Sequence, residues 1–155
     1  MLSENVKLIK GLAPAADRFN TSPSTDVVSL ANAEKATFIL YHDGGTTGKG
    51  TLTVEACDDV TPSNTTAVAF RYRRVTTGAS DEIGAISTAT TAGIDTVPGE
   101  TTLIEIEVKA DELPAGKPFV RLKCTEAVND PVNGAVLIIL SGLRYGGASQ
   151  PTALA

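Results

Sequence analysis

The chain has no tryptophan, a single histidine, two cysteines and one methionine, and aromatic residues make up only 5% of it. A core built from this composition is aliphatic and rich in alanine. No apolar run approaches the roughly 20 residues that a membrane-spanning helix needs. Basic side chains are outnumbered by acidic ones, for a formal charge of −5. A general nucleic-acid binder needs a basic face to displace counterions from phosphates, so this balance argues against one. One histidine and two cysteines 67 positions apart do not supply the ligand spacing of a zinc site. Glu4, Lys7 and Lys10 interrupt the apolar residues at the start, so no secretory leader is expected. Cys57 and Cys124 fall in predicted strands. They can face each other across a sandwich, but in a reducing cytosol two buried thiols are expected.

What remains is a chain of one domain's length, with abundant Thr, Val, Ile and Gly that favour strands. Residues 51–56 alternate so that Leu52, Val54 and Ala56 face inward and Thr51, Thr53 and Glu55 outward. Residues 103–108 repeat the pattern, with Ile104, Ile106 and Val108 inward and Glu105 and Glu107 outward. Further strands are predicted at 27–30, 36–41, 67–76 and, marginally, 85–88. Residues 117–123 and the apolar run 135–141 read as a hairpin across an Asn/Asp/Pro turn, its second strand buried on both faces. Short strands at this spacing, separated by polar loops, predict an all-β fold: an antiparallel β-sandwich or jelly roll of about 7–8 strands.

The first 25 residues differ. Leu2, Val6, Leu8, Ile9 and Leu12 are apolar, but Pro14 and Pro23 break the segment, with at most a short helical turn around Phe19. It reads as an extended N-terminal arm over 1–25, preceding a sandwich domain at 26–146 and a small-residue tail at 147–155. Such an arm either crosses its own sheet or lies on a neighbouring subunit.

No set of catalytic groups accompanies these strands. His42 is followed by Asp43, which points to the opposite side of an extended chain, and a triad needs a positioned nucleophile as well. A surface-loop histidine is expected. Asp58, Asp59 and Asn64 read as a solvated turn capped by its own side chains rather than a calcium loop. Glu105 and Glu107 stand about 7 Å apart on one strand face, a spacing that suits acid–base work on a sugar. An exposed face with cross-strand partners in Arg71 and Arg73 is the simpler reading. Arg71, Tyr72, Arg73 and Arg74 interleave an aromatic ring with guanidinium groups, but within an acidic domain. Gly48-Lys49-Gly50 lacks the hydroxyl residue and the helix of a phosphate loop. No enzyme, cofactor or metal is expected.

The stretch TLTVEACDD from Thr51, AFRYR from Ala69, Glu112-Leu113-Pro114, FVRL from Phe119, and the final strand ending LSGLRY at Tyr145 together resemble small virion structural proteins of tailed bacteriophages. The resemblance begins near Val27 and rests on strand ends and turns. It implies a capsid decoration, or cement, protein on the virion surface, assembled in the host cytoplasm. Its partners would be the major capsid protein and other copies of itself, with a trimer favoured and neither nucleic acid nor membrane bound. Under that reading Leu2, Val6, Leu8, Ile9, Leu12 and Phe19 anchor the arm on the shell, and Lys7, Lys10 and Arg18 meet acidic shell surface. Deleting residues 1–20 would then leave a folded protein that no longer binds capsids. A neck, tail or baseplate component is one alternative. A carbohydrate-binding sandwich for host attachment is another, weakened by the lack of tryptophan and by tyrosines that lie in or beside strands.

Overall fold

The structure, a computed structural model, describes residues 2–43, 45–75 and 82–144. Readings that fall on Tyr145, on the 147–155 tail and on most of the 77–84 loop lie outside these residues. Eleven strands form among the described residues: β1 Lys7–Ala15, β2 Val28–Ser29, β3 Lys35–His42, β4 Lys49–Cys57, β5 Thr65–Val68, β6 Phe70–Val75, β7 Ser87–Ala89, β8 Ile94–Asp95, β9 Thr102–Lys109, β10 Phe119–Val128 and β11 Gly134–Ser141. Two antiparallel sheets pack face to face as a β-sandwich. One has six strands in the order β1-β11-β3-β9-β6-β7; the other runs β2-β10-β4-β5, with β8 also paired to β4.

The period-two pattern explains the core. From the larger sheet, Phe38, Leu40, Ile104, Ile106, Val136 and Ile138 face inward and are fully buried. They meet Val28, Leu52, Val54, Val120 and Leu122 of the smaller sheet. The predicted strand over 67–76 is two strands, β5 in one sheet and β6 in the other. The chain changes sheet at Ala69, yet Val68 and Phe70 both stay in the interior. Both inner faces look onto one core, so the alternation runs through the crossing without a break.

Two strand assignments need correction. Residues 117–123 and 135–141 do not form a hairpin: β10 pairs with β4 and β2, whereas β11 pairs with β3 and β1. Alternation says which side chains point inward but not whether the next strand lies beside or opposite. Nor is β11 buried on both faces. Val136, Ile138 and Leu140 are inside, while Leu137 on the outer side is 51% exposed.

The N-terminal segment takes the course across its own sheets. β1 is the edge strand beside β11, with Leu8 opposite Ile139 and Ile9 opposite Ile138. The register shifts between Lys10 and Leu12, where Gly11 lies so close to Val136 that a Cβ would sit 2.9 Å from its carbonyl oxygen. Residues 16–22 then cross the end of the sandwich, and the chain continues along β10. There Thr25 N–H donates to Leu122 O (2.8 Å) and Cys124 N–H to Pro23 O (2.9 Å). The sandwich therefore starts at β1 rather than at residue 26. Removing residues 1–20 strips a sheet edge together with buried Ile9 and Phe19, so the folded truncation expected from the sequence does not suit this structure.

Candidate functional site

The outer faces of the two sheets differ in chemistry. On the smaller sheet the outward positions of β4 and β10 are Thr51, Thr53, Glu55, Arg121 and Lys123. Glu55 accepts from Arg121 Nε at 2.8 Å, and Lys123 Nζ lies 3.8 Å away. This surface is polar and internally paired.

The outer face of the larger sheet is divided. Over β1, β11, β3 and the near end of β9 it carries Leu8, Leu137, Ile139, Ile39, Tyr41 and Leu103, brought side by side by the register. Leu8 and Leu137 are each 51% exposed and Tyr41 is 59% exposed, so apolar surface of three neighbouring strands faces solvent together. Over β9 and β6 the same face turns ionic. Arg71 pairs in register with Glu107, and Arg73 with Glu105. Lys35 Nζ reaches Glu107 at 2.6 Å, and Arg71 Nη2 stands 3.3 Å from both Glu107 and Glu112. The carboxylates considered for sugar chemistry thus sit among basic side chains, Glu107 as a shared ion-pair partner.

At the sandwich end, His42 is a buried residue of β3, only 1% exposed, and not a surface-loop histidine. β3 runs one residue past the predicted end at Tyr41, and position 42 continues the inward series of Phe38 and Leu40. His42 Nδ1 lies 2.8 Å from Asp43 O. A carbonyl can only accept, so Nδ1 carries the proton and Nε2 presents a lone pair, which is buried without a partner. Burial holds this imidazole's pKa below its ordinary value, outweighing the backbone bond to Asp43. The Phe19 ring meets it edge-on, with centroids 6.2 Å apart. Asp43 turns to Asn133, accepting from its N–H at 3.0 Å and its Nδ2 at 2.6 Å. His42 and Asp43 therefore do not orient one another as a catalytic pair.

The residues assigned to partner contact by the sequence are placed in different settings by the fold. Ile9 and Phe19 are buried in this chain's own core and cannot serve as partner contacts in the folded protein; Leu12 packs against that core. Leu8 and Lys10 lie on the outer face of the larger sheet, opposite Ile139 and Leu137. Leu2 is 64% exposed in a short 3₁₀ turn, while Val6 and Lys7 are half-buried. Arg18 is tied down: its N–H donates to Val132 O (2.6 Å), and its guanidinium bonds Ala13 O. Leu137, Ile139, Ile39 and Tyr41 were missed as surface residues because an apolar run looks the same whether its outer face is covered or open.

The remaining motifs have structural partners. Asp58 accepts from Ser63 Oγ (2.8 Å) and Asn64 N–H (3.1 Å), closing its own turn. Lys49 pairs with Asp95 at 2.6 Å. Cys57 and Cys124 are free and buried. They do not face each other across the sandwich: both belong to the smaller sheet, where Cys57 pairs in register with Phe119, five residues from Cys124. Burial pushes the Cys124 thiol up to about 12. Among the described residues no cluster of metal-ligating side chains occurs, and no helix is long and apolar enough to cross a membrane. A loop clasp completes this end: Asp130 accepts from Thr47 N–H (2.9 Å), Thr47 Oγ1 (3.1 Å) and Gly48 N–H (3.2 Å). Asp130→Ala is expected to speed amide exchange at Thr47 and Gly48 while leaving the β9 amides unchanged, as read by hydrogen-exchange NMR.

These features define an all-β, two-sheet sandwich whose most distinctive surface is an open apolar sheet face. No protein-family profile and no curated protein matches the chain. Among solved structures it is similar to the SPBc2 prophage-derived protein YomS, at 13% identity over 88% of this chain and 92% of that one, with a TM-score of 0.46. It is also similar to part of a Clostridium thermocellum endo-1,4-β-D-xylanase 10B, solved as CBM22-1–GH10 modules with xylohexaose. That likeness has 14% identity and a TM-score of 0.42, covering 96% of this chain and 28% of that one. At these scores neither likeness establishes a shared function.

Proposed function

We propose that this chain is a bacteriophage virion structural protein of the capsid decoration type, which stabilises the head by contacts with the major capsid protein rather than by catalysis. The observation that supports this most is the outer face of the six-stranded sheet. A rigid sandwich that leaves Leu8, Leu137 and Tyr41 at least half exposed together is built to be covered, since large exposed apolar patches mark interaction surfaces. The strand-end motifs that resemble small virion proteins, from Thr51, Ala69 and Phe119, lie along β4, β6 and β10, within the sandwich itself.

Copy number tests the reading. Quantitative mass spectrometry of purified particles made from the encoding genome is expected to find the chain at a ratio near one to the major capsid protein, or near one trimer per capsid three-fold. A handful of copies per particle would move it to the neck, tail or baseplate, and absence from the particles would sink the virion reading.

A second reading has one observation in its favour. Tyr41 is 59% exposed and borders a shallow groove with Asp43, Thr101 and Asn133, so a tyrosine within a strand here offers a ring to solvent. An aromatic face beside amide and carboxylate groups suits a sugar. Retention on a glycan array that Tyr41→Ala removes would favour carbohydrate attachment.

A further inference from the structure

We infer that the outer face of the six-stranded sheet seats an amphipathic α-helix of a partner protein, its apolar stripe along β11 and acidic residues on its flanks. This rests on the reading that the face is covered by a partner, and it names the chemistry of that contact.

Width selects a helix. Apolar sheet faces in folded proteins are buried under a further layer. The apolar positions here are Leu8 on β1, Leu137 and Ile139 on β11, and Ile39 and Tyr41 on β3, side by side in the register. Three strands span two spacings, about 10 Å, which matches the roughly 10–12 Å diameter of one helix with its side chains. Past β3 the strip narrows to Leu103, and Glu105 and Glu107 take the next positions on β9. It is therefore one helix wide. The eight residues of β11 run about 26 Å, the length of a helix of about 17 residues.

Charge selects the flanks. The chain carries −5, yet this face sets Lys10, Lys35, Lys109, Arg71 and Arg73 against Glu105 and Glu107. It stays net positive even with Glu34 and Glu112 counted at its rim. Lys10 and Arg73 close the two ends of one cross-strand row that runs through Leu137, Ile39 and Glu105. Glu107 is shared by Lys35 and Arg71, whereas Lys10, Arg73 and Lys109 form no ion pair among the described residues. A positive face on an acidic protein draws an acidic partner and rejects a basic one. An anionic membrane would press on Glu105 and Glu107 as well. A helix seated on β1, β11 and β3 leaves those carboxylates in solvent beside Arg71 and Arg73.

The test uses a labelled helical peptide of about 18 residues, with leucines three and four apart on one face and glutamates on either side of them. Fluorescence anisotropy with the full chain is expected to show saturable binding. Replacing the glutamates of the peptide by lysine, or raising salt from about 50 to 500 mM, is expected to weaken it about 10-fold or more. Leu137→Ser is expected to weaken it by about as much, through loss of a buried leucine contact. Lys10→Glu with Arg73→Glu does the same through charge, while Thr125→Glu on the polar outer face of the other sheet leaves binding unaltered. No binding at about 1 mM peptide overturns the inference, as does equal binding of the acidic and basic peptides. Unchanged binding by either face variant also overturns it where circular dichroism shows the variant folded, and the charge variant decides alone should Leu137→Ser not fold. A chain that prefers phosphatidylserine vesicles, or that forms a dimer in light scattering which Leu137→Ser dissolves, gives the face to a membrane or a second copy and overturns it too. Failure here with full copy number in virions removes the helix and keeps the virion reading, whereas peptide binding by a chain absent from virions does the reverse.

Discussion

Replacing Phe19 by alanine is expected to lower the unfolding free energy by about 3–5 kcal/mol, the usual range for a fully buried phenylalanine. In a chain of this size that is a fall in Tm of roughly 10 °C. Phe19 is 2% exposed, wedged between His42 and Gly50, where a Cβ on Gly50 would come within 2.9 Å of its ring. The backbone that delivers it is strained: Asp17, Thr21 and Ser22 all have left-handed φ, at 58°, 65° and 51°. Each costs a non-glycine residue about 1 kcal/mol, and the ring, the Arg18–Val132 bond and the bond from Glu126 N–H to Ser22 Oγ help hold the segment on this path. Asn20→Ala, at the exposed neighbour, serves as the control. A Phe19→Ala loss under about 1 kcal/mol in urea unfolding would mean that the ring does not plug the core.

Acidification below about pH 6.5 is expected to destabilise the protein through His42, at up to about 1.4 kcal/mol per pH unit, the limit for one proton. The sign follows from burial, which lowers the folded-state pKa of this imidazole below 6.5. The stability held by the neutral ring is therefore complete above the unfolded pKa and is lost as pH falls through the folded one. The acidic groups with resolved shifts do not confuse this window. Asp43, Asp58, Asp95 and Asp130 are all held below the ordinary carboxylate value by hydrogen bonds, so their contributions fade only in stronger acid. Urea unfolding at pH 7.5 and 5.5 reads the slope, and His42→Gln should flatten it. An equal slope in both proteins would place the proton elsewhere.

The strands were legible wherever one face is polar. Thr53 and Glu55 alternating with Leu52 and Val54, or Glu105 and Glu107 with Ile104 and Ile106, fix orientation without reference to a neighbour. Charge suggested that Arg71 and Arg73 lie across from Glu105 and Glu107, and the register sets Arg71 beside Glu107 and Arg73 beside Glu105. Topology was not legible, because inward alternation is the same for β10 and β11 in one sheet or in two. The Ile9 and Phe19 assignments failed for a related reason. Apolar residues between prolines look like anchors for another molecule unless it is known that the same chain offers a site, here the edge of β11 and the gap above Gly50. His42 gave no signal of burial, since the polarity of Asp43-Gly44-Gly45 masks the continuation of β3.

The pairing of β1 with β11 joins the first and the last of the described strands. A ribosome emitting this chain releases Ile9 and Leu12 well before Ile138 and Val136 exist to pair with them. The larger sheet cannot gain its β1 edge until β11 has been made. Contacts of such long sequence separation fold slowly, and a half-made chain shows apolar side chains to its surroundings. Lys7, Lys10 and Pro14 of β1 therefore guard an open sheet edge against pairing with another chain, during translation as well as in the finished protein.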